Sequence, residues 1–245
     1  NVGGWLIQGL SLHYYTVPKT WGDKGSATDF NEEEYFTTIK KTLFMEEMVT
    51  KHSEVMDKYD PEKRIGLMVD EWGNWFNVEK GTNSGFLYQQ NSLRDAITAA
   101  TNLNIFNNHA ERVRMSNIAQ MVNVLQAVIL TDGPKMVLTP TYHVFDLFKV
   151  HQNAKLIPIK IETTEYVFAD KKVPSVNCSA SKDENGKIHI SLTNVNPNKS
   201  EKVVLTLKGI NEKEISALVL TSKSLTDHNT FENPNAVSIQ PFNDF

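Results

Sequence analysis

Apolar residues change their spacing once along this chain, near residue 151. Ahead of that point, short apolar runs alternate with long stretches of helical spacing. Beyond it, the patterns have the period of two that marks a half-buried strand. A chain divided this way folds as an α/β portion, residues 1–150, followed by an all-β portion, residues 151–245. Trp5 to Leu12 is a mostly apolar run that ends in Ser11-Leu12-His13-Tyr14-Tyr15. It suits a buried parallel strand. Residues 16–30 hold Pro18, Gly22, Asp23, Gly25 and Ser26 and read as a long loop. Asn31 with Glu34 three residues later predicts a capped helix start, and Phe36, Ile39, Leu43, Met48, Val55 and Tyr59 continue it. Asp60-Pro61 stops that helix.

A second buried strand, Ile65 to Val69, runs into Asp70-Glu71-Trp72-Gly73-Asn74-Trp75. Leu93, Ala96, Ile97, Ala100 and Leu103 predict one helix, and Met115, Ile118, Ala119, Val122 and Leu125 predict another. Ala127 to Leu130 predicts a third strand, closed by Asp132-Gly133, and Tyr142 to Val150 a last helix. Strand and helix in alternation indicate parallel βα units, and polar, aromatic loops after the strands suggest a barrel with its site at the strand C-termini. In the second portion Ile157, Ile159 and Ile161 share a face, as do Ile188, Ile190 and Leu192, and Val203, Leu205 and Leu207. Asp183-Glu184-Asn185-Gly186 predicts a hairpin turn, and Val237 to Gln240 one more strand. The expectation there is an antiparallel sandwich.

Composition narrows the function classes. The 245 residues carry 25 Lys plus Arg against 29 Asp plus Glu, a formal net charge of -4. That balance argues against a nucleic-acid partner, which selects for a basic field. No apolar run approaches the ~20 residues that span a bilayer, so the expectation is a soluble protein without a membrane partner. The single cysteine, Cys178, forms no intrachain disulfide and no cysteine zinc site. It leaves the compartment open between cytoplasmic and periplasmic or secreted. The start, Asn1-Val2-Gly3-Gly4-Trp5, has no initiator Met and no leader pattern, which fits a mature secreted chain or a fragment.

Asp70-Glu71-Trp72 is the sharpest chemical feature. Two carboxylates leave an otherwise apolar strand between aromatic residues, where a carboxylate is costly unless hydrogen-bonded or used. The pattern suits glycoside cleavage, in which a carboxylate attacks an anomeric carbon and aromatics cover sugar faces. A structural alternative makes Asp70 a loop cap and Glu71 a solvated rim residue. His13 and Tyr15 point to one side of their strand and can donate hydrogen bonds to a carboxylate or a sugar hydroxyl. Taken alone they also suit a buried Tyr and a satisfied His. His109-Ala110-Glu111 matches half of a zinc deaminase signature, but the P-C-x-x-C half is absent. The remaining histidines lack metal-ligand spacing, and no G-x-G-x-x-G, Walker A or G-x-S-x-G pattern occurs.

Four stretches together resemble the α-L-arabinofuranosidases of glycoside hydrolase family 51. They are Gly9-Leu10-Ser11-Leu12-His13-Tyr14-Tyr15; Val69-Asp70-Glu71-Trp72-Gly73-Asn74-Trp75; His109 to Val113 through Ala119 to Val124; and Thr139-Pro140-Thr141-Tyr142-His143-Val144-Phe145. The resemblance covers residues 5–160. It implies the C-terminal part of a (β/α)8 TIM barrel, about three of eight units from strand six onward, followed by a jelly-roll-like β-sandwich. It implies retaining removal of terminal α-L-arabinofuranosyl groups from arabinan, arabinoxylan or arabino-oligosaccharides, with no metal or organic cofactor. Glu71 matches the family's nucleophile, His13 and Tyr15 the pair beside it, and Gln120 a Gln that contacts the sugar. Trp72 and Trp75 are expected to line the pocket. The family's acid/base Glu belongs to an Asn-Glu pair at the fourth strand, and no segment of this chain takes that position. The expectation is therefore a fragment that is inactive alone and whose missing barrel strands are a partner; a homo-oligomer stays open. Another retaining glycosidase of the same barrel clan and a non-catalytic carbohydrate-binding fragment are the alternatives.

Overall fold

The computed structural model of the chain describes residues 6–209 and 214–244. Its elements in order are β1 (Gly9–Thr16), α1 (Glu32–Tyr59), β2 (Gly66–Asn74), α2 (Leu93–Asn108), β3 (Val113–Ile118), β4 (Ile129–Asp132), β5 (Lys135–Leu138) and α3 (Pro140–Phe148). Then come β6 (Lys155–Leu156), β7 (Glu165–Phe168), β8 (Lys171–Pro174), β9 (Val176–Lys182), β10 (Ile188–Asn194), β11 (Ala217–Leu220) and β12 (Ile239–Phe242). The first half is mixed helix and strand, and the second half is sheet-rich.

Strands β1, β2 and β3 form a parallel sheet in that order, an open sheet and not a closed barrel among the described residues. Helices α1 and α2 are the crossovers that parallel pairing requires. Asn31 accepts from the Glu34 amide at 3.0 Å and Glu34 accepts from the Asn31 amide at 3.2 Å, so the expected capping box starts α1. Asp60 is its C-cap, immediately before Pro61. Leu12, Met45, Val49, Leu67, Val69, Trp72, Leu103 and Phe106 pack into the main core between this sheet and the helices.

Two expectations fail at β3. Residues 113–118 pair with Leu67, Met68 and Val69 of β2 as a strand, where the spacing of Met115, Ile118, Val122 and Leu125 predicts a helix. A short apolar set fits either period, and the free edge of β2 decides between them. The third strand expected at 127–130 is instead β4, which pairs antiparallel with β5 across the turn at Gly133 and lies outside the parallel sheet. The first strand is also displaced, to Gly9–Thr16, and Trp5 lies outside the described residues.

In the second half β9 is the middle of an antiparallel sheet with order β10-β9-β6, and β7-β8 and β11-β12 are paired ribbons. The turn expected at 183–186 joins β9 to β10, with Gly186 at φ +85°. Ile157 to Ile161 and Val203 to Leu207 alternate as strands do, yet none of these residues belongs to a strand. Ile157 donates to Ala180 at 2.9 Å and the pairing stops there. Val203, Val204, Leu205 and Leu207 are all exposed. Alternation supplies an apolar face, but a strand also needs a neighbour for its backbone groups.

Helix α2 joins the halves. One side enters the main core, and its asparagines reach the antiparallel sheet. Asn104 donates to Asn177 at 2.7 Å and to Thr193 at 3.1 Å, Asn107 to Ser179 at 3.1 Å, and Asn108 to the Cys178 carbonyl at 2.9 Å. In a second cluster, Tyr35 and Phe36 of α1 pack with Tyr166 and Val173 of the β7-β8 ribbon.

Candidate active site

A bulge in β2 builds the site. Ser11 pairs with Met68 and His13 with Glu71, so Val69 and Asp70 together face Leu12. One extra residue on one strand re-aims every side chain after it. Strict alternation would send Glu71 to the same face as Leu67 and Val69, both fully buried. With the extra residue, Trp72 takes that place in the core and Glu71 emerges on the opposite face, beside His13 and Tyr15. Gly73 permits the next turn of the chain. It has φ +144°, and a Cβ there would meet Cγ of Gln126 at 2.7 Å.

Glu71 is held at both oxygens. Tyr15 donates its hydroxyl to Oε1. His13 Nδ1 lies 2.8 Å from Oε2. Burial, then the adjacent Glu71 carboxylate, pushes the Tyr15 phenol above its ordinary value, so Tyr15 keeps its proton and stays the donor. The other face of the imidazole is taken as well: His13 Nε2 is 3.3 Å from Oδ1 of Asp70, and Ser11 donates to the same oxygen at 2.7 Å. The Ser11 hydrogen bond is the main reason the Asp70 carboxyl sits below the usual range; His13 adds to it. Both ring nitrogens thus face carboxylate oxygens, and the imidazole is fixed between Asp70 and Glu71. The Glu71 side chain is 36% exposed, fixed in direction yet open to a ligand.

Aromatic rings continue from this carboxylate. Trp75 meets Tyr15 edge to face at 4.9 Å, and Trp21 meets Trp75 in the same way at 5.7 Å. Lys24 Nζ lies 5.3 Å from the Trp75 ring. The loop that carries Trp21 is tied to the exit of β2. Asn77 donates from its amide to the Gly25 carbonyl at 2.9 Å and from Nδ2 to Asp23 at 2.7 Å, and Lys24 N donates to Asn77 Oδ1 at 3.0 Å. Arg94 closes the far end of the loop, donating to the Ser26 and Ala27 carbonyls at 3.0 Å between the rings of Phe30 and Phe76. Its burial pulls the guanidinium down to about 10.

Among the residues named from sequence, His13, Tyr15, Glu71 and Trp75 form one cluster. Trp72 does not join it. Its ring is fully buried, 5.3 Å from Phe106 and stacked 6.2 Å from Phe145, because the bulge turns it inward. Trp72 anchors β2 and does not line the open face. Gln120 follows the end of β3, at the same end of the sheet, with an exposed side chain that joins none of the hydrogen bonds holding Glu71. Ser11, Trp21 and Asn77 belong to the site and were not singled out from sequence. A Trp set among Pro, Gly and Asp was the one available signal, since such a loop has little core to bury it.

Beneath the site lies a buried polar network. Asp95 accepts from Asn74 and from Gln126 at 2.8 Å each on Oδ1, and from the Ser92 amide at 2.8 Å on Oδ2. Gln89 bridges the Phe76 amide and the Asn74 carbonyl at 2.7 Å and 3.3 Å. These bonds fix the path of residues 74–76 and with it the direction of Trp75. Among the described residues no group of three or more His, Cys, Asp or Glu side chains is arranged to hold a metal, and no helix is long and apolar enough to cross a membrane.

Residues 70–245 match the family model for the α-L-arabinofuranosidase C-terminal domain. An intracellular exo-α-L-arabinofuranosidase of Bacteroides ovatus is 47% identical over 243 residues, 99% of this chain and 47% of that protein. The crystal structure of a family 51 arabinofuranosidase from Xanthomonas axonopodis pv. citri superposes with a TM-score of 0.95 at 49% identity, over 98% of this chain and 48% of that one. An α-L-arabinofuranosidase of Thermotoga maritima, solved with arabinose, shares the fold at a TM-score of 0.76 and 23% identity, over 96% of this chain and 48% of that one. The chain therefore spans about half the length of these relatives.

Proposed function

The chain belongs to the α-L-arabinofuranosidases of glycoside hydrolase family 51, as their C-terminal portion, and on that premise we propose that Glu71 is the nucleophile of a retaining hydrolysis of terminal α-L-arabinofuranosyl groups. The observation that carries this reading is the double grip on Glu71, by Tyr15 at one oxygen and His13 at the other. A carboxylate held at both oxygens is aimed in one direction, which a nucleophile requires and a flat sugar-binding platform does not. One oxygen attacks the anomeric carbon as the glycosidic bond breaks. The leaving oxygen takes a proton from a general acid, and water then cleaves the glycosyl-enzyme ester to release arabinose. Trp75 covers the sugar beside Glu71, and Gln120 reaches it from the end of β3. The substrates on this reading are arabinan, arabinoxylan or arabino-oligosaccharides.

Asp70 is the carboxylate nearest in sequence, and it is unsuited to be the acid. Ser11 and His13 hold it in its ionised form. We place the acid outside these 245 residues, on the remaining strands of a (β/α)8 barrel of which residues 1–150 are one part and residues 151–245 the following sandwich. A polypeptide of these 245 residues then lacks leaving-group protonation and hydrolyses aryl arabinofuranosides slower by roughly 10²–10⁴ than the complete enzyme. Comparable turnover by the two would remove the acid from that position. The reading as a whole is tested on the protein expressed as its gene encodes it, with a panel of nitrophenyl glycosides and with NMR of the first-formed sugar. The expected result is a preference for the α-L-arabinofuranoside with the α configuration kept. Preference for a xyloside or glucoside, or inversion at the anomeric carbon, overturns it.

A further inference from the structure

Trp21 is 63% exposed, and the loop that carries it is held in place. Exposed tryptophans on free loops bury what they can; this one stands on a loop clamped at both ends. Asn77 ties Asp23, Lys24 and Gly25 to the exit of β2, and Lys24 Nζ returns to the Trp21 carbonyl at 2.9 Å. The Arg94 guanidinium fixes the loop beyond, at Ser26 and Ala27. The indole meets Trp75 edge to face, Trp75 meets Tyr15 in the same way, and Tyr15 holds Glu71. Trp21 is thus the outermost of a row of rings that begins at the reacting carboxylate, two ring steps away from it. A pre-ordered aromatic face costs a ligand little entropy and stacks on the C–H face of a sugar.

Resting on the reading of Glu71 as nucleophile, we infer that Trp21 is a specificity-determining residue that stacks on the sugar ring on the leaving side of the scissile bond. The arabinosyl group under attack lies by Glu71 and Trp75. The next pentose of an oligosaccharide reaches Trp21, and a substrate with a leaving group of one atom does not. The Asn77 clamp is what keeps the indole in position.

The test compares two substrates with the protein expressed as its gene encodes it: α-L-arabinofuranosyl fluoride and a linear arabinotriose. Trp21→Ala is expected to lower kcat/KM for arabinotriose about tenfold relative to kcat/KM for the fluoride, mainly through KM, and Trp21→Phe to restore part of that ratio. Asn77→Ala moves the ratio in the same direction by a smaller factor. Fluoride turnover reports on folding of each variant within the same experiment. A ratio unchanged in Trp21→Ala, or a change confined to kcat for both substrates, overturns the inference while leaving Glu71 as nucleophile. If the unmodified protein turns over neither substrate, the reading of Glu71 falls and this inference falls with it.

Discussion

Two carboxylates a short way apart in this fold are held by similar bonds and lead opposite lives. Asp95 is fully buried and accepts from Asn74, Gln126 and the Ser92 amide. Glu71 is partly exposed and accepts from Tyr15 and His13. All the donors around Asp95 come from the segments it joins, β2, the loop before β4 and the start of α2, so its bonds knit the scaffold. The donors of Glu71 come from one neighbouring strand and leave one side of the carboxylate open. Hydrogen bonding alone therefore does not separate the two. What sets Glu71 apart is a fixed direction combined with an open face.

Substitutions should separate the two. Glu71→Gln is expected to lower turnover of an aryl arabinofuranoside by roughly 10³-fold or more while the unfolding midpoint moves little. Near-normal steady-state rates would put Glu71 in the same structural class as Asp95. Trp72→Ala should do the reverse, lowering stability by about 3–5 kcal/mol in a denaturant titration because it empties a packed core position. A variant as stable as the parent but weak in sugar binding would return Trp72 to the pocket wall. Asp95→Ala strands the donors of Asn74, Gln126 and Ser92 in the interior and should lower stability by about 2–4 kcal/mol by the same titration. If it instead leaves stability intact and removes activity, the comparison is inverted. Tyr15→Phe is the smallest of the four. Losing one hydrogen bond to a charged group should reduce kcat about 10- to 100-fold with KM nearly unchanged. A pure KM effect would show Tyr15 touching substrate and not aiming Glu71.

Local signals in the chain hold where the bonds that enforce them are local. Asn31 with Glu34, Asp60-Pro61 and the 183–186 turn each specify a boundary through bonds a few residues long. The pairing of His13 and Tyr15 on one face follows from alternation within one strand, and both reach Glu71. Helical spacing at 115–125 misled because β3 is specified by the free edge of β2, which lies more than forty residues earlier in the chain. The row at Val203 to Leu207 misled in the opposite way, since its alternation has no strand beside it.

The amino-acid order by itself determined that a carboxylate pair leaves an apolar strand among aromatics, next in line to a strand ending in His and Tyr. Which of Glu71 and Trp72 points outward was decided only in the tertiary structure. One extra residue in β2 opposite Leu12 exchanges their faces. No composition or period records that exchange, because register is a property of two strands in contact and each strand carries only its own half of the information.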